Sequence, residues 1–199
     1  MGTAKETLLQ YLRETVRFKK RLGLVFPEGY NYQGGEDYVL DRGSPFSSGP
    51  LTPQERTTVL QALTLCPEKH FRLGHCYYNA QLLVAFDTSR ELTYCEGWAI
   101  GLNSVPTLHG WASINGKVVD LTWKTEKPRH RGRLRNRIWG TIPEDWAYYG
   151  ATFDTDSLLA RMHRIGATGS FLDDVAYGFP LFREPRLRTI LELTTGGDP

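Results

Sequence analysis

Residues 5–22 place Leu8, Leu9, Leu12, Val16 and Leu22 on one stripe with Lys and Arg between them, the spacing of a helix with one buried side. The Lys19-Lys20-Arg21 run near its end complements the helix dipole. Residues 26–50 lose this periodicity. Gly, Pro, Ser and Tyr dominate there, and only Asp37-Tyr38-Val39-Leu40 reads as a short strand within a long irregular segment. Thr52-Pro53-Gln54-Glu55 then starts a helix, with an N-cap threonine, a proline at the first position and a capping-box glutamate. The pattern predicts that this helix runs to about Thr64, buries Val59, Leu60 and Leu63, and stops at Pro67. A further helix opens at Gly74-His75-Cys76-Tyr77-Tyr78-Asn79-Ala80 and carries the apolar run 80–86.

Asp87–Arg90 is a turn, and Leu92–Leu102 reads as a strand. Leu108–Ile114 and Lys117–Trp123 follow as two more strands joined by Asn115-Gly116, the strongest short hairpin signal. With those two residues as the loop, Ile114 pairs with Lys117, Trp111 with Asp120 and His109 with Thr122. His109, Trp111 and Asp120 then share a face, with the Cα atoms of His109 and Asp120 roughly 7–8 Å apart and within side-chain reach. Beyond the hairpin, Glu144–Gly150 is an aromatic cluster that covers the core or walls a cleft. Thr155 or Asp156 caps a helix carrying Leu158, Leu159, Met162 and Ile165, and Ser170 opens a short one. The tail from Thr194 reads as frayed.

Chemistry enters with Cys76. A helix start offers free N–H groups and a positive dipole end, which favour a thiolate and make a nucleophile. A helix-start cysteine, an imidazole and a carboxylate aimed at it are the parts of a thiol triad. Cysteine attacks, histidine shuttles the proton and aspartate fixes the imidazole tautomer.

Cys76, Tyr94-Cys95-Glu96-Gly97-Trp98-Ala99, His109-Gly110-Trp111 and Val119-Asp120-Leu121-Thr122-Trp123 together resemble the core of the transglutaminase-like (papain-like) superfamily over about residues 71–123. The resemblance implies an α+β fold: an antiparallel sheet of three to five strands, the nucleophile-bearing helix packed on it, and additional helices at both ends. It implies Cys76, His109 and Asp120 as the triad of an acyltransferase, amidohydrolase or peptidase that uses no cofactor. Asn31, Gln33, Asn79 and Trp111 are candidates for oxyanion or substrate binding. An upstream side-chain donor of the Asn31 or Gln33 kind serves papain-like enzymes. Glu96 points into the cleft or pairs with an arginine.

Composition narrows the partners. The 199 residues are 40% hydrophobic and 23% charged, with a formal net charge of +2, which suits one domain over 1–199 with its core at about 52–123. The basic stretch Lys124–Arg137 follows the Asp120 strand. Its Arg131 and Arg133 are candidates to receive an acidic group on an amide- or thioester-containing substrate by bidentate contacts. No nucleic-acid reading module is present, and no apolar run approaches the ~18–20 residues of a membrane span. The N-terminus lacks a signal peptide's apolar core, and three cysteines make no disulfide framework, so a reduced cytoplasmic setting is expected. Two other function classes stand beside the thiol enzyme: an inactive binding module on the same fold, and a metal-dependent hydrolase. The spacing of His70, Cys76, Cys95 and His109 matches no zinc motif, and no metal is expected.

Overall fold

A capping box starts the chain. Thr3 accepts the Glu6 N–H at 3.3 Å and donates its own N–H to the Glu6 carboxylate at 2.7 Å. The computed structural model describes residues 3–66, 71–72, 74–101, 103–125, 137–165 and 169–183. Helix α1 (Ala4–Arg21) buries Leu8 and Leu12 completely and leaves Phe18 exposed near its far end. Helix α2 (Gly35–Arg42) occupies the stretch where the sequence predicts a strand at 37–40. Its charges explain the difference: Glu36 and Asp37 sit in the first turn and Arg42 in the last, the polarity a helix dipole favours. Glu36 and Val39, three residues apart, share its buried side.

Helix α3 (Pro53–Leu65) has the predicted start, with Thr52 and Glu55 exchanging hydrogen bonds. It buries Val59 and Ala62, whereas Leu60 is 46% exposed, so the buried stripe lies one residue away from the predicted one. Helix α4 (Cys76–Ala85) begins at the predicted cysteine. The strands are β1 (Ser44–Pro45), β2 (Thr93–Ile100), β3 (Thr107–Ile114), β4 (Lys117–Lys124), β5 (Arg137–Gly140) and β6 (Ala147–Phe153), followed by helix α5 (Thr155–Ile165). All neighbouring pairs are antiparallel, in the order β1-β6-β2-β3-β4-β5. The architecture is α+β as predicted, with six strands rather than three to five. β1, β5 and β6 are the strands that the sequence pattern does not predict, and the aromatic cluster supplies the last of them. Its residues 147–150 begin β6, which pairs with β2 from Ala147 to Phe153 and so lies within the sheet rather than over it.

Helices and sheet share one large core on a single face, where Leu8, Val39, Val59, Leu83 and Leu158 meet Tyr94, Trp98, Ala112, Ile114 and Val119. The other face carries a smaller cluster: Cys95, Ala99, Trp111, Val118, Ile138, Trp146 and Tyr148, with Phe46 over it. Period-two alternation along β2 and β3 divides these sets. Asn115 (φ 50°) and Gly116 (φ 74°) form the predicted tight turn. Glu55 ties that turn to α3, accepting from Asn115 Nδ2 at 3.0 Å and from Lys117 Nζ at 2.8 Å. At the end of β6, α5 is capped by Asp154, which accepts the Ser157 N–H at 2.8 Å, rather than by Thr155 or Asp156. Ser170 makes a turn instead of a helix, its Oγ accepting from Leu172 and Asp173 N–H. None of the described helices is long and apolar enough to cross a membrane.

The centre of the sheet depends on two facing glycines, Gly97 of β2 and Gly150 of β6. A Cβ on Gly97 would stand 2.3 Å from the Tyr149 carbonyl oxygen and 2.4 Å from Gly150 Cα, both backbone atoms that cannot swing aside. Gly97→Ala therefore forces two strands apart and costs about 2 kcal/mol or more. The expected outcome is a thermal midpoint lower by about 5 °C or more, measured by far-UV circular dichroism. An unchanged midpoint would contradict the close β2–β6 approach.

Candidate active site

β3 and β4 pair only near their turn: Ile114 with Lys117, Ser113 with Val118 and Ala112 with Val119. This is the predicted register, but the ladder ends before the predicted Trp111–Asp120 and His109–Thr122 pairs. The first turn of α4 reaches both strands beyond that point. Tyr77 lies against Gly110 of β3, where an added Cβ would meet the Tyr77 ring at 2.8 Å, and Asn79 Nδ2 donates to Thr122 Oγ1 of β4 at 2.9 Å. Asn79 also exchanges two hydrogen bonds of 2.8 Å with the backbone of Arg72. The loop before Cys76 is thereby fastened to the helix that Cys76 begins.

Across this opening, His109 Nε2 meets Asp120 Oδ2 at 2.8 Å, with both side chains about 1% exposed. Tyr148 of β6 donates its hydroxyl to the same oxygen at 2.9 Å. The second carboxylate oxygen accepts the backbone N–H groups of Thr122 and Trp123 at 2.7 and 3.1 Å, where the β4–β5 register shifts between Asp120 and Lys124. Four donors thus surround one carboxylate. Trp123 stacks on the imidazole with ring centroids 4.2 Å apart.

Burial opposes the charged form of His109, but the Asp120 charge and hydrogen bond, joined by Cys76, outweigh it and raise the imidazole to about 9. Burial likewise works against the Asp120 anion. The positive His109 and the two backbone N–H donors prevail and hold this carboxyl below its ordinary value. Cys76 acts on His109 both by hydrogen bonding and by charge. With Nε2 occupied by Asp120, Nδ1 is the nitrogen left for the thiol. Cys76 is half-buried at this junction, whereas Cys66 and Cys95 are fully buried, the latter thiol pushed by burial up to about 12.

The structure therefore brings Cys76, His109 and Asp120 together and gives the other candidates different work. Asn79 is 2% exposed and spends its amide on Arg72 and Thr122, so it positions α4 rather than binding a substrate. Trp111 is fully buried under Phe46, their rings 5.0 Å apart, and is closed to ligands. Gln33 Oε1 accepts the Phe26 N–H at 2.5 Å, and Asn31 is exposed with its backbone N–H on the Phe182 carbonyl. Neither is in a hydrogen bond with the triad. Arg131 and Arg133 lie outside the described residues. At the base of their segment, Arg137 Nη1 donates to the Thr122 carbonyl. Glu96 is fully buried and, among the described residues, makes no ion pair. Its oxygens accept the Phe171 and Leu172 N–H groups at 2.6–3.3 Å, and burial raises it to about 8.

Sequence reasoning missed Tyr148. The signal was its place in Trp146-Ala147-Tyr148-Tyr149-Gly150, where strand alternation turns one of two adjacent tyrosines toward the histidine face. Among the described residues, no group of three or more His, Cys, Asp or Glu is placed to hold a metal ion, and His70 lies outside them. Protein-family models, curated proteins and solved structures yield no match to this chain.

Asp120→Asn keeps an oxygen for the Thr122 and Trp123 N–H groups but removes the charge that protonates His109. The imidazole should then titrate far below 9, as read by NMR of the histidine ring, with a modest loss of thermal midpoint. Asp120→Ala removes the cap as well and should lower the midpoint further. Equal midpoints for the two variants would show that the strand irregularity does not need the side chain.

Proposed function

We propose that this protein is a thiol-dependent acyl-transfer enzyme on a transglutaminase-like domain, acting on an amide or thioester and leaving the acyl group on Cys76. The observation that carries this reading is the buried His109–Asp120 pair with Cys76 on its free side, at the first position of a helix. Three free cysteines among the described residues support a reduced, cytoplasmic setting.

In the acylation step the thiol proton resides on His109. Cys76 Sγ bonds to the substrate carbonyl carbon, and the carbonyl oxygen gains negative charge. The Cys76 backbone N–H, one of the donors a helix start leaves free, stabilises that oxygen. Collapse breaks the bond to the amine or thiol, which leaves with the proton from His109. Water or an amine then attacks the thioester, giving its proton back to His109, and the acyl group departs from sulfur. Asp120 holds the imidazole so that Nδ1 faces the thiol, and Tyr148 holds Asp120.

Four outcomes test this. Cys76→Ser should abolish the acyl adduct seen by intact mass while shifting the thermal midpoint by no more than a few degrees. Iodoacetamide at pH 6–7 should label Cys76 well before Cys66 or Cys95; equal labelling would favour a non-catalytic module. Asp120→Asn should lower kcat on the order of a hundredfold or more. The alkaline limb of kcat/KM should fall as pH rises through about 9, where His109 loses the proton the leaving group needs. A limb that stays put in Asp120→Asn would remove His109 from the mechanism.

A further inference from the structure

Thr122 is the residue at which the carboxylate turn and the nucleophile's helix meet. It is 8% exposed, and each of its three polar groups has a different partner. Its N–H donates to Asp120 Oδ1 at 2.7 Å and its hydroxyl oxygen accepts from Asn79 Nδ2 at 2.9 Å. Its carbonyl accepts from Arg137 Nη1 of β5. A β-branched side chain has few χ1 choices, so a backbone held at both its N–H and its carbonyl also holds the hydroxyl.

Asn79 carries this tie on to the nucleophile. The Nδ2 that donates to Thr122 also donates to the Arg72 carbonyl, and Asn79 Oδ1 accepts the Arg72 N–H, both at 2.8 Å. The His75 N–H donates to that same carbonyl at 3.3 Å, so the turn that delivers Cys76 hangs on one buried amide. Leu83 and Val84 anchor the body of α4 in the core, but they stand two turns beyond Cys76. At the first turn, the ties to the strands are Tyr77 against Gly110 and Asn79 to Thr122. The contacts close a ring. It runs from Cys76 along α4 to Asn79, then through Thr122, Asp120 and His109 back to Cys76.

We infer that Thr122 is a positioning residue, its hydroxyl setting where Cys76 stands relative to His109. One carboxylate then orients the imidazole and, through the next residue but one, registers the thiol against it. The inference rests on the thiol reading above for its kinetic consequence, and on the ring of contacts for the placement itself.

The test removes the hydroxyl and leaves the N–H that Asp120 uses. Thr122→Val keeps the shape, Thr122→Ala is the less crowded alternative should Thr122→Val fail to fold, and Thr122→Ser keeps the hydroxyl. Acetylation of Cys76 by 4-nitrophenyl acetate is followed by intact mass, per folded molecule. The Sγ–C bond forms, the bond to 4-nitrophenolate breaks, and the thiol proton goes to His109 and then to solvent. The His109 ring is titrated by NMR in each protein, with Cys76 and with Cys76→Ala. Thr122→Val and Thr122→Ala should slow acetylation about tenfold or more, and Thr122→Ser should stay within about twofold of the parent. In the parent, Cys76→Ala should lower the His109 titration point, because the thiol favours the imidazolium. Without the Thr122 hydroxyl, Cys76→Ala should leave that point unmoved.

A merely structural Thr122 would lower the thermal midpoint and move neither readout, which would overturn the positioning role and leave the thiol mechanism standing. A loss that Thr122→Ser shares, or a His109 response to Cys76→Ala that survives Thr122→Val, would overturn it as well. A parent without any adduct, whose His109 responds to Cys76→Ala only while the hydroxyl is present, would keep the positioning role and overturn acyl transfer. Neither adduct nor response in the parent would overturn both.

Discussion

A carboxylate sealed from water is the constraint on which the site depends. Asp120 is about 1% exposed, and an ion so placed survives only if its neighbours replace the water it has lost. Here they come from three elements. Thr122 and Trp123 supply backbone N–H groups from the irregular part of β4, Tyr148 a hydroxyl from β6, and His109 an N–H and a positive charge from β3. The carboxylate in turn dictates their places. The local break in the β4–β5 ladder, the inward turn of Tyr148 and the protonation of His109 all answer to the same charge.

The second element of the design is the incomplete β3–β4 ladder. A fully paired hairpin would leave no way for a residue on the helix face to reach a histidine on the opposite face. By ending their pairing at Ala112–Val119, the strands admit the start of α4, and Asn79 and Tyr77 fasten it there. The same irregularity therefore serves both the anion and the approach of Cys76. Its location follows from Asp120, whose side chain gathers the N–H groups of the next residues and so takes them out of regular pairing.

Much of this was legible because it is local. Cys76 at a helix start, the Asn115-Gly116 turn and the Thr52/Glu55 cap are each determined by a few adjacent residues, and the hairpin turn fixes the shared face of His109 and Asp120 although the ladder stops before their predicted pairs. What was not legible depends on distant partners. Strand alternation turns Tyr148 or Tyr149 to one face but does not name a partner 28 positions away, and nothing near Glu96 announces the N–H groups of Phe171 and Leu172. The chemistry of Asn79 and Trp111 allows a ligand-binding role. Burial, which only the assembled sheet decides, turned one to an internal tie and the other to core. Residues 37–40 misled for a different reason, since four residues with a central apolar pair fit either period.

The buried Glu96 carboxyl has an effect on the whole molecule. Its proton is held in the native state up to about pH 8, whereas an unfolded chain releases it near pH 4.5. Between those values folding takes up a proton, so this group destabilises the native state progressively as the solution becomes more alkaline. His109 slopes the same way. Its stabilising charge is fully present below about pH 6.5 and vanishes as pH climbs through about 9. Asp120 and Glu55, both held below their ordinary values, set the opposite limit because their contributions disappear on acidification. These four groups together therefore favour the fold most on the mildly acidic side of neutrality, while the His109 imidazolium persists well into the alkaline range.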